Sequence, residues 1–205
     1  MWELENDAKA AGFRLVCGCD EAGAGPLAGP LYAAAVILPD GLVLPYLNDS
    51  KKVTEKRREV LFDQICAQAV AWSVVSISPQ EIDELDILNA RMKSMQMAID
   101  ALEIKPDYAL IDGNRDHGSK CAITTPHKLV VKGDSRSANI AAASILAKVS
   151  RDRYMREIDC RYPEYQFARH KGYGTKLHTD LLDQFGPSEI HRRTFLKKWE
   201  ARQNG

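Results

Sequence analysis

The stretch CGCDEAGAGPLAGPL, from Cys17 to Leu31, constrains this chain more than any other. The apolar run from Leu15 to Cys19 reads as a buried strand, and YAAAVIL, Tyr32 to Leu38, as a second. Between them lie Asp20, Glu21, the glycines Gly23, Gly25 and Gly29, and the prolines Pro26 and Pro30. A hairpin closes with about two to five loop residues, so this much turn chemistry serves more than a reversal. Two acids at the end of a buried strand must meet water, donors or a cation. Adjacent strand residues point to opposite faces. For both carboxylates to serve one site, the strand must therefore break at Glu21, as the following glycines permit. The loop also offers backbone N–H groups to an approaching anion. A metal or phosphate site and an ordinary solvated turn are both compatible with this stretch alone.

The 205 residues fit one domain, 1–205, with roughly 162–205 as a C-terminal helical extension. Lys plus Arg (28) balances Asp plus Glu (28), so net charge neither requires nor excludes a polyanion partner. Basic residues gather between Ser144 and Arg161 and after Gly186, and acids between Glu81 and Asp86. The five cysteines, with no C-x-x-C pair, speak against a disulfide framework or a zinc knuckle. Cys17 and Cys19 are expected to pack in the core. No signal-peptide h-region opens the chain and no apolar run is long enough to span a bilayer. A cytoplasmic, membrane-free monomer is the expectation, and no clamp-binding tail after Trp199 points to a protein partner.

The remaining chain alternates strands and helices. Trp2 to Ala11 reads as a short helix stopped by Gly12. Thr54 caps a second, with Val60, Leu61, Ile65 and Ala69 at helical spacing. Ala71 to Ile77 is strand-like, and Pro79 opens a short acidic helix. Leu88 to Leu102 is amphipathic, with Met92, Met95, Ile99 and Leu102 on one face, a core stripe. YALI, Tyr108 to Ile111, and KLVV, Lys128 to Val131, are short buried strands. Ser135 to Arg161 is mostly helix, small-residue at its start and leaving through Arg151, Arg153 and Arg156. The loop HKGYGT, a helix from Leu177 to Phe185, the turn GPSEIHRR and a last helix near Phe195 to Ala201 follow. The pattern is one layered α/β domain.

Asp112 and Asp134 repeat the context of Asp20: an apolar run that ends in an acid beside glycine. Sites in sheets with parallel strands form outside the strands' carboxyl ends. Parallel, neighbouring strands would bring Asp20, Glu21, Asp112 and Asp134 together. Four such carboxylates repel unless a cation intervenes. Oxygen ligands without His or Cys favour Mg²⁺ or Mn²⁺, and a shared, open carboxylate site suits two ions about 3.5–4 Å apart.

The segments DEAGAGPLAGPLYAAAVIL, LNDSKKVTEKRRE, LIDGN, VKGDSRSANIAAASILAKVSRDRYM, HKGYGTKLH and GPSEIHRRTF resemble bacterial ribonuclease HII in order and spacing, from Arg14 to Phe195. The resemblance implies a ribonuclease H-like fold: a central five-stranded mixed sheet, flanking helices and a C-terminal helical extension. It implies cleavage of the RNA strand of RNA–DNA hybrids and incision 5′ of ribonucleotides embedded in duplex DNA, giving 3′-hydroxyl and 5′-phosphate ends. The family's metal-binding catalytic acids fall on Asp20, Glu21, Asp112 and Asp134, and its junction-sensing tyrosine on Tyr173. Ribose differs from deoxyribose only by its 2′-hydroxyl. The candidates to read it are the backbone of Gly23, Ala24 and Gly25 and the phenol of Tyr173.

The family carries Arg or Lys between the two glycines after the acid pair, and this chain carries Ala24. Lys51, in DSKK, is a phosphate contact or an exposed helix-start lysine. Arg192 and Arg193 bind phosphates or solvate a turn. Tyr173, without the resemblance, is a loop aromatic over the core. His170, His178 and His191 are too scattered in sequence to be read as ligands. Two rivals stand beside the nuclease. A nucleic-acid-binding module with impaired catalysis fits the Gly-Ala-Gly turn but not the presence of all four acids. A nucleotide-binding α/β protein needs a phosphate loop opening into a helix, whereas this loop runs into YAAAVIL.

Overall fold

The computed structural model describes residues 1–116 and 120–203. Five strands form one mixed sheet in the order β3-β2-β1-β4-β5. They are β1 (Val16–Ala22), β2 (Leu31–Ile37), β3 (Ala71–Ile77), β4 (Tyr108–Asp112) and β5 (His127–Val130). β2 runs antiparallel to its neighbours β1 and β3, while β4 is parallel to β1 and β5 parallel to β4. The helices are α1 (Glu3–Ala10), α2 (Glu55–Gln68), α3 (Pro79–Leu85), α4 (Ile87–Asp100), α5 (Ala138–Arg161), α6 (Phe167–His170), α7 (Lys176–Phe185) and α8 (Lys197–Gln203).

Strand alternation divides the core between the two sheet faces. Cys17, Cys19, Ala33 and Ala35 pack with Met92, Met95 and Ile99 of α4. Ala34 and Val36 pack with Ala138, Ala142, Ala143 and Leu146 of α5 and with Leu61 and Ile65 of α2. The methionine stripe and both strand cysteines are core, as read from the sequence. Val60 is instead 53% exposed, because the buried stripe of α2 runs through Leu61 and Ile65, one turn apart. Thr54 holds the N-cap position of α2, but its side chain makes no capping bond. Ser137 does cap α5, accepting from the Ile140 N–H.

The small residues of α5 allow unusually close approach. A Cβ on Gly18 would lie 2.2 Å from the backbone of Asn139 and Ile140. Asn139 fastens the layers at this point. Its amide donates to the Val16 carbonyl, and its oxygen accepts from the Leu38 N–H, both at 2.9 Å. α5 is thereby held across β1 and β2, with its middle turns beneath the loop that joins them.

Among the described residues no helix is long and apolar enough to cross a membrane, and all five cysteines are free.

Candidate active site

β1, β4 and β5 are adjacent and parallel, so their carboxyl ends open at one edge of the sheet. Asp112 is the last residue of β4, and Asp134 lies in the single 3₁₀ turn Gly133–Ser135 that follows β5. A Cβ on Gly133 would meet the Ile140 side chain at 2.5 Å and Asp112 Oδ1 at 3.2 Å. Glycine there lets the Gly133 N–H reach Asp112 Oδ1 at 2.6 Å.

β1 does not break at Glu21. It continues through Ala22, with Glu21 opposite Ala33 and Ala22 opposite Tyr32 of β2. What ends early is the partnership with β4, whose last pair is Cys19 with Ile111. Asp20 and Glu21 thus stand on an edge freed on one side, and pleating still sends them apart. Asp20 takes the face that Gly18 presents to α5, and Glu21 the face of α4, where it meets Arg91 Nε at 2.8 Å. The β2 ladder supplies enough pairing to keep the strand regular past the acids.

Electrostatics bind the four acids into one neighbourhood. Asp20 is buried. Burial, then repulsion from Glu21 and Asp112, pushes its carboxyl well above the usual range, against the Glu21 N–H that donates to it. Burial also raises Glu21, with the Arg91 guanidinium offsetting part of the effect. Asp134 is pushed up to about 6 by burial and by Asp49 and Asp112. Three of the four carboxylates are turned to a local donor: Asp20 to the Glu21 N–H, Glu21 to Arg91, Asp112 to the Gly133 N–H. Accordingly, among the described residues no three His, Cys, Asp or Glu side chains surround a single point at ligand distance. The donor set nevertheless fits a divalent cation. It consists of hard oxygens held in mutual repulsion, and Glu21 Oε2 is buried without a hydrogen-bond partner.

Beside the acids lies an open groove of about 210 Å³, lined by Glu21, Gly23, Ala24, Gly25, Lys51 and Tyr173, with Lys148 of α5. Tyr173 is 42% exposed, so it is not a core aromatic. Its ring borders the groove with the Arg151 guanidinium 5.7 Å away. Lys51 is exposed at the rim. Ala24 is half-buried and packs against the cluster of Leu31, Ile77, Ile82 and Ala90.

Two arginines hold the loop in place, and neither is the surface cation that its sequence context indicates. Arg151 is buried and donates to the carbonyls of Ala28, Pro30 and Lys171. Gly23 is glycine because a Cβ there would strike Arg151 Nε at 2.1 Å. Arg192 is fully buried and donates to the carbonyls of Gly23, Ala24 and Gly29 at 2.6–3.0 Å. It therefore neither binds phosphate nor solvates a turn. These carbonyl bonds satisfy the donors of a guanidinium that burial would otherwise leave unpaired. Arg153 and Arg156 do not form a free basic exit either, since both pair with Glu59 of α2. His170, His178 and His191, distant in sequence, come together beneath Tyr173. Asp49, Arg91, Lys148 and the histidine cluster were not legible as site neighbours, because only long-range packing brings them to the acids or the loop.

A family model described as Ribonuclease HII matches residues 17–198. The chain belongs to the ribonuclease HII family. It is 48% identical over 196 residues to a ribonuclease HII of Caldicellulosiruptor saccharolyticus, covering 96% of this chain and 94% of that relative. It is 50% identical over 195 residues to a ribonuclease HII of Geotalea uraniireducens, covering 95% of this chain and 88% of that one. The crystal structure of ribonuclease H2 from Pyrococcus horikoshii superposes with a TM-score of 0.76 at 27% identity, covering 93% of this chain and 99% of that structure. Ribonuclease HII proteins are divalent-metal-dependent endoribonucleases that cleave the RNA strand of RNA–DNA hybrids, and this chain is such an enzyme. The five-stranded mixed sheet with flanking helices is the ribonuclease H-like architecture that its sequence motifs imply.

Proposed function

We propose that this ribonuclease HII also incises 5′ of single ribonucleotides in duplex DNA, with two Mg²⁺ or Mn²⁺ ions held by Asp20, Glu21, Asp112 and Asp134. The observation that carries the reading is the convergence of these acids at the open ends of β1 and β4 and just past β5, beside a groove lined by backbone and Tyr173. Bound there, the ions would lower the pKa of a water and stabilise the leaving 3′-oxygen. Hydrolysis of the P–O3′ bond there would add the water's hydroxyl to phosphorus and its proton to the leaving oxygen, giving a 5′-phosphate and a 3′-hydroxyl.

The chain's own residues bind and orient. A trans peptide points its C=O and N–H in opposite directions, and the described chain has no cis bond. Arg192 draws the Gly23 and Ala24 carbonyls inward. The N–H groups of Ala24 and Gly25 consequently face away from it, toward the groove, where a ribose 2′-oxygen or a phosphate oxygen can accept. Tyr173 borders the same groove and is placed to pack on the sugar next to the ribonucleotide. Lys51 supplies positive charge for phosphates, whereas Lys148, also lining the groove, is paired with Asp152 at 2.6 Å. Discrimination then rests on backbone donors that Ala24 provides as well as Arg would, so the Gly-Ala-Gly turn does not by itself disable the site.

The test is cleavage of a duplex carrying one embedded ribonucleotide, with end mapping and metal titration. Incision 5′ of the ribonucleotide that needs Mg²⁺ or Mn²⁺ is expected. Asp20→Asn should lose cleavage by at least about a hundredfold while binding the duplex undiminished in Ca²⁺. Near-normal turnover of that variant in saturating Mg²⁺ would remove Asp20 from the ligand set.

A further inference from the structure

Beneath Tyr173 lies a buried relay of imidazoles whose hydrogens are fixed by their neighbours. His191 Nδ1 sits 2.9 Å from the Ser188 N–H, which can only donate, so Nδ1 is unprotonated and the neutral ring carries its hydrogen on Nε2. His191 Nε2 is 3.0 Å from His178 Nε2, which must then accept. His178 in turn carries its hydrogen on Nδ1 and donates it to the Tyr173 carbonyl at 3.0 Å. His170 stacks on His178 with ring centroids 4.2 Å apart, accepts from the Gly172 N–H on Nδ1 and donates from Nε2 to the Tyr165 carbonyl. Every ring nitrogen has a protein partner, so the cluster is not a metal site. Burial holds His178 at about 4 and His191 at about 3, which keeps both rings neutral near pH 7.

The next residue after His191 is Arg192, which grips the other wall of the groove through the Gly23, Ala24 and Gly29 carbonyls. The backbone around the pair is tied to the same loop. The Gly29 N–H donates to Ile190, the Arg192 N–H to Leu27, and Ala28 bridges to His191. Two consecutive side chains thus reach opposite sides of the groove, one through a relay to Tyr173 and one directly to Gly23 and Ala24.

We propose that His191 and Arg192 form a positioning pair that sets the separation between Tyr173 and the outward N–H groups of Ala24 and Gly25, and thereby the enzyme's selection for the RNA–DNA junction. The pair lies beneath the substrate groove and acts through Tyr173 and the loop. This deepens the reading of Tyr173 and the glycine turn as the ribose-discriminating elements, and it rests on that reading. The Tyr173 carbonyl accepts from the Thr175 N–H at 2.7 Å and from His178 at 3.0 Å: apolar rings of equal size would fill the space, but would remove the second of these donors and with it the link from the pair to Tyr173.

The experiment is a double-mutant cycle. Wild type, His191→Phe, Tyr173→Ala and the double variant are compared in the ratio of kcat/KM on a duplex with one ribonucleotide to kcat/KM on an all-RNA hybrid. His191→Phe keeps the ring and removes the Nε2–H donor. It should lower the ratio about tenfold, the scale of a modest misplacement of a contacting group, while activity on the hybrid changes less. The double variant should match Tyr173→Ala alone, because the pair acts through that tyrosine. Losses that multiply in the double variant, or an unchanged ratio in folded His191→Phe, overturn the proposal. An unchanged ratio in Tyr173→Ala overturns the underlying reading of Tyr173 and the proposal with it, and is told apart by that single variant. Should His191→Phe fail to fold, His178→Phe replaces it in the cycle. A measurement on the wild type is independent of folding: ¹⁵N correlation spectra at pH 7 should show His191 as the Nε2–H tautomer and His178 as the Nδ1–H tautomer. The reverse assignment overturns the relay.

Discussion

Replacing Asp134 with Asn should make the metal-free protein more stable while destroying much of its activity. The folded protein holds Asp134 at about 6, against an ordinary value of 3.8, because burial and the neighbouring Asp49 and Asp112 oppose its charge. The fold therefore binds this proton more tightly than the unfolded chain does. The stability tied to the proton is fully present below about pH 3.8 and is lost as pH rises through about 6. That gap corresponds to about 3 kcal/mol at most. Counter-ions in the open groove reduce it, so about 2 kcal/mol is expected above pH 7. Asn carries no charge, and its amide can donate to Asp49. Asp134→Asn in EDTA at pH 7.5 should then unfold about 4–8 °C above wild type, given the entropy of unfolding for a domain of this size. At pH 4 the two proteins should melt together. Adding Mn²⁺ should raise the melting temperature of wild type more than that of the variant, since a bound ion stabilises by mass action. The assay is thermal unfolding followed by circular dichroism at both pH values, with and without metal. A variant less stable than wild type in EDTA at pH 7.5, or a difference that does not change with pH, would refute the idea that these acids are held in repulsion.

Two other substitutions probe the scaffold and the loop. Gly18→Ala forces a Cβ to within 2.2 Å of the α5 backbone, and should cost about 3 kcal/mol by overpacking, lowering the melting temperature by about 6–12 °C; a shift under about 2 °C would mean that α5 slides freely over β1. Ala24→Arg should extend a positive charge into the groove that Ala24 lines. It should tighten binding and steepen the dependence of log affinity on log salt by about one, in Ca²⁺ titrations on a duplex with one ribonucleotide. Equal slopes and affinities would show that no phosphate lies within reach of that position.

Much of this molecule was legible along the chain because its signals are local. Apolar runs of four to seven residues marked the strands, and Pro79 marked the start of a helix. Asp20, Asp112 and Asp134 each ended or followed an apolar run, and parallel neighbours then share an edge by topology. The arginines were misjudged for a physical reason. A guanidinium in a polar, basic sequence context is usually solvated, and nothing near Arg192 in sequence announces the carbonyls of Gly23, Ala24 and Gly29, over 160 residues earlier. The break expected at Glu21 failed similarly, because the β2 ladder that keeps β1 regular there is a tertiary partner.

Local patterns along the chain suffice for the strands and helices, the glycine loop between two buried strands, the acids that close them, and through six spaced motifs the family. These follow from patterns that a short window of chain carries: periodicity, turn chemistry and residue order. How the acids are turned and what holds the groove open follow from long-range packing. Glu21 meets Arg91 and Asp134 faces Asp49 across long separations in the chain. Arg151 and Arg192 pass under the loop and take its carbonyls, and three histidines from different segments gather beneath Tyr173. Such contacts depend on which surfaces meet when helices close on the sheet. Their value comes from desolvation, which exists only once the chain has folded.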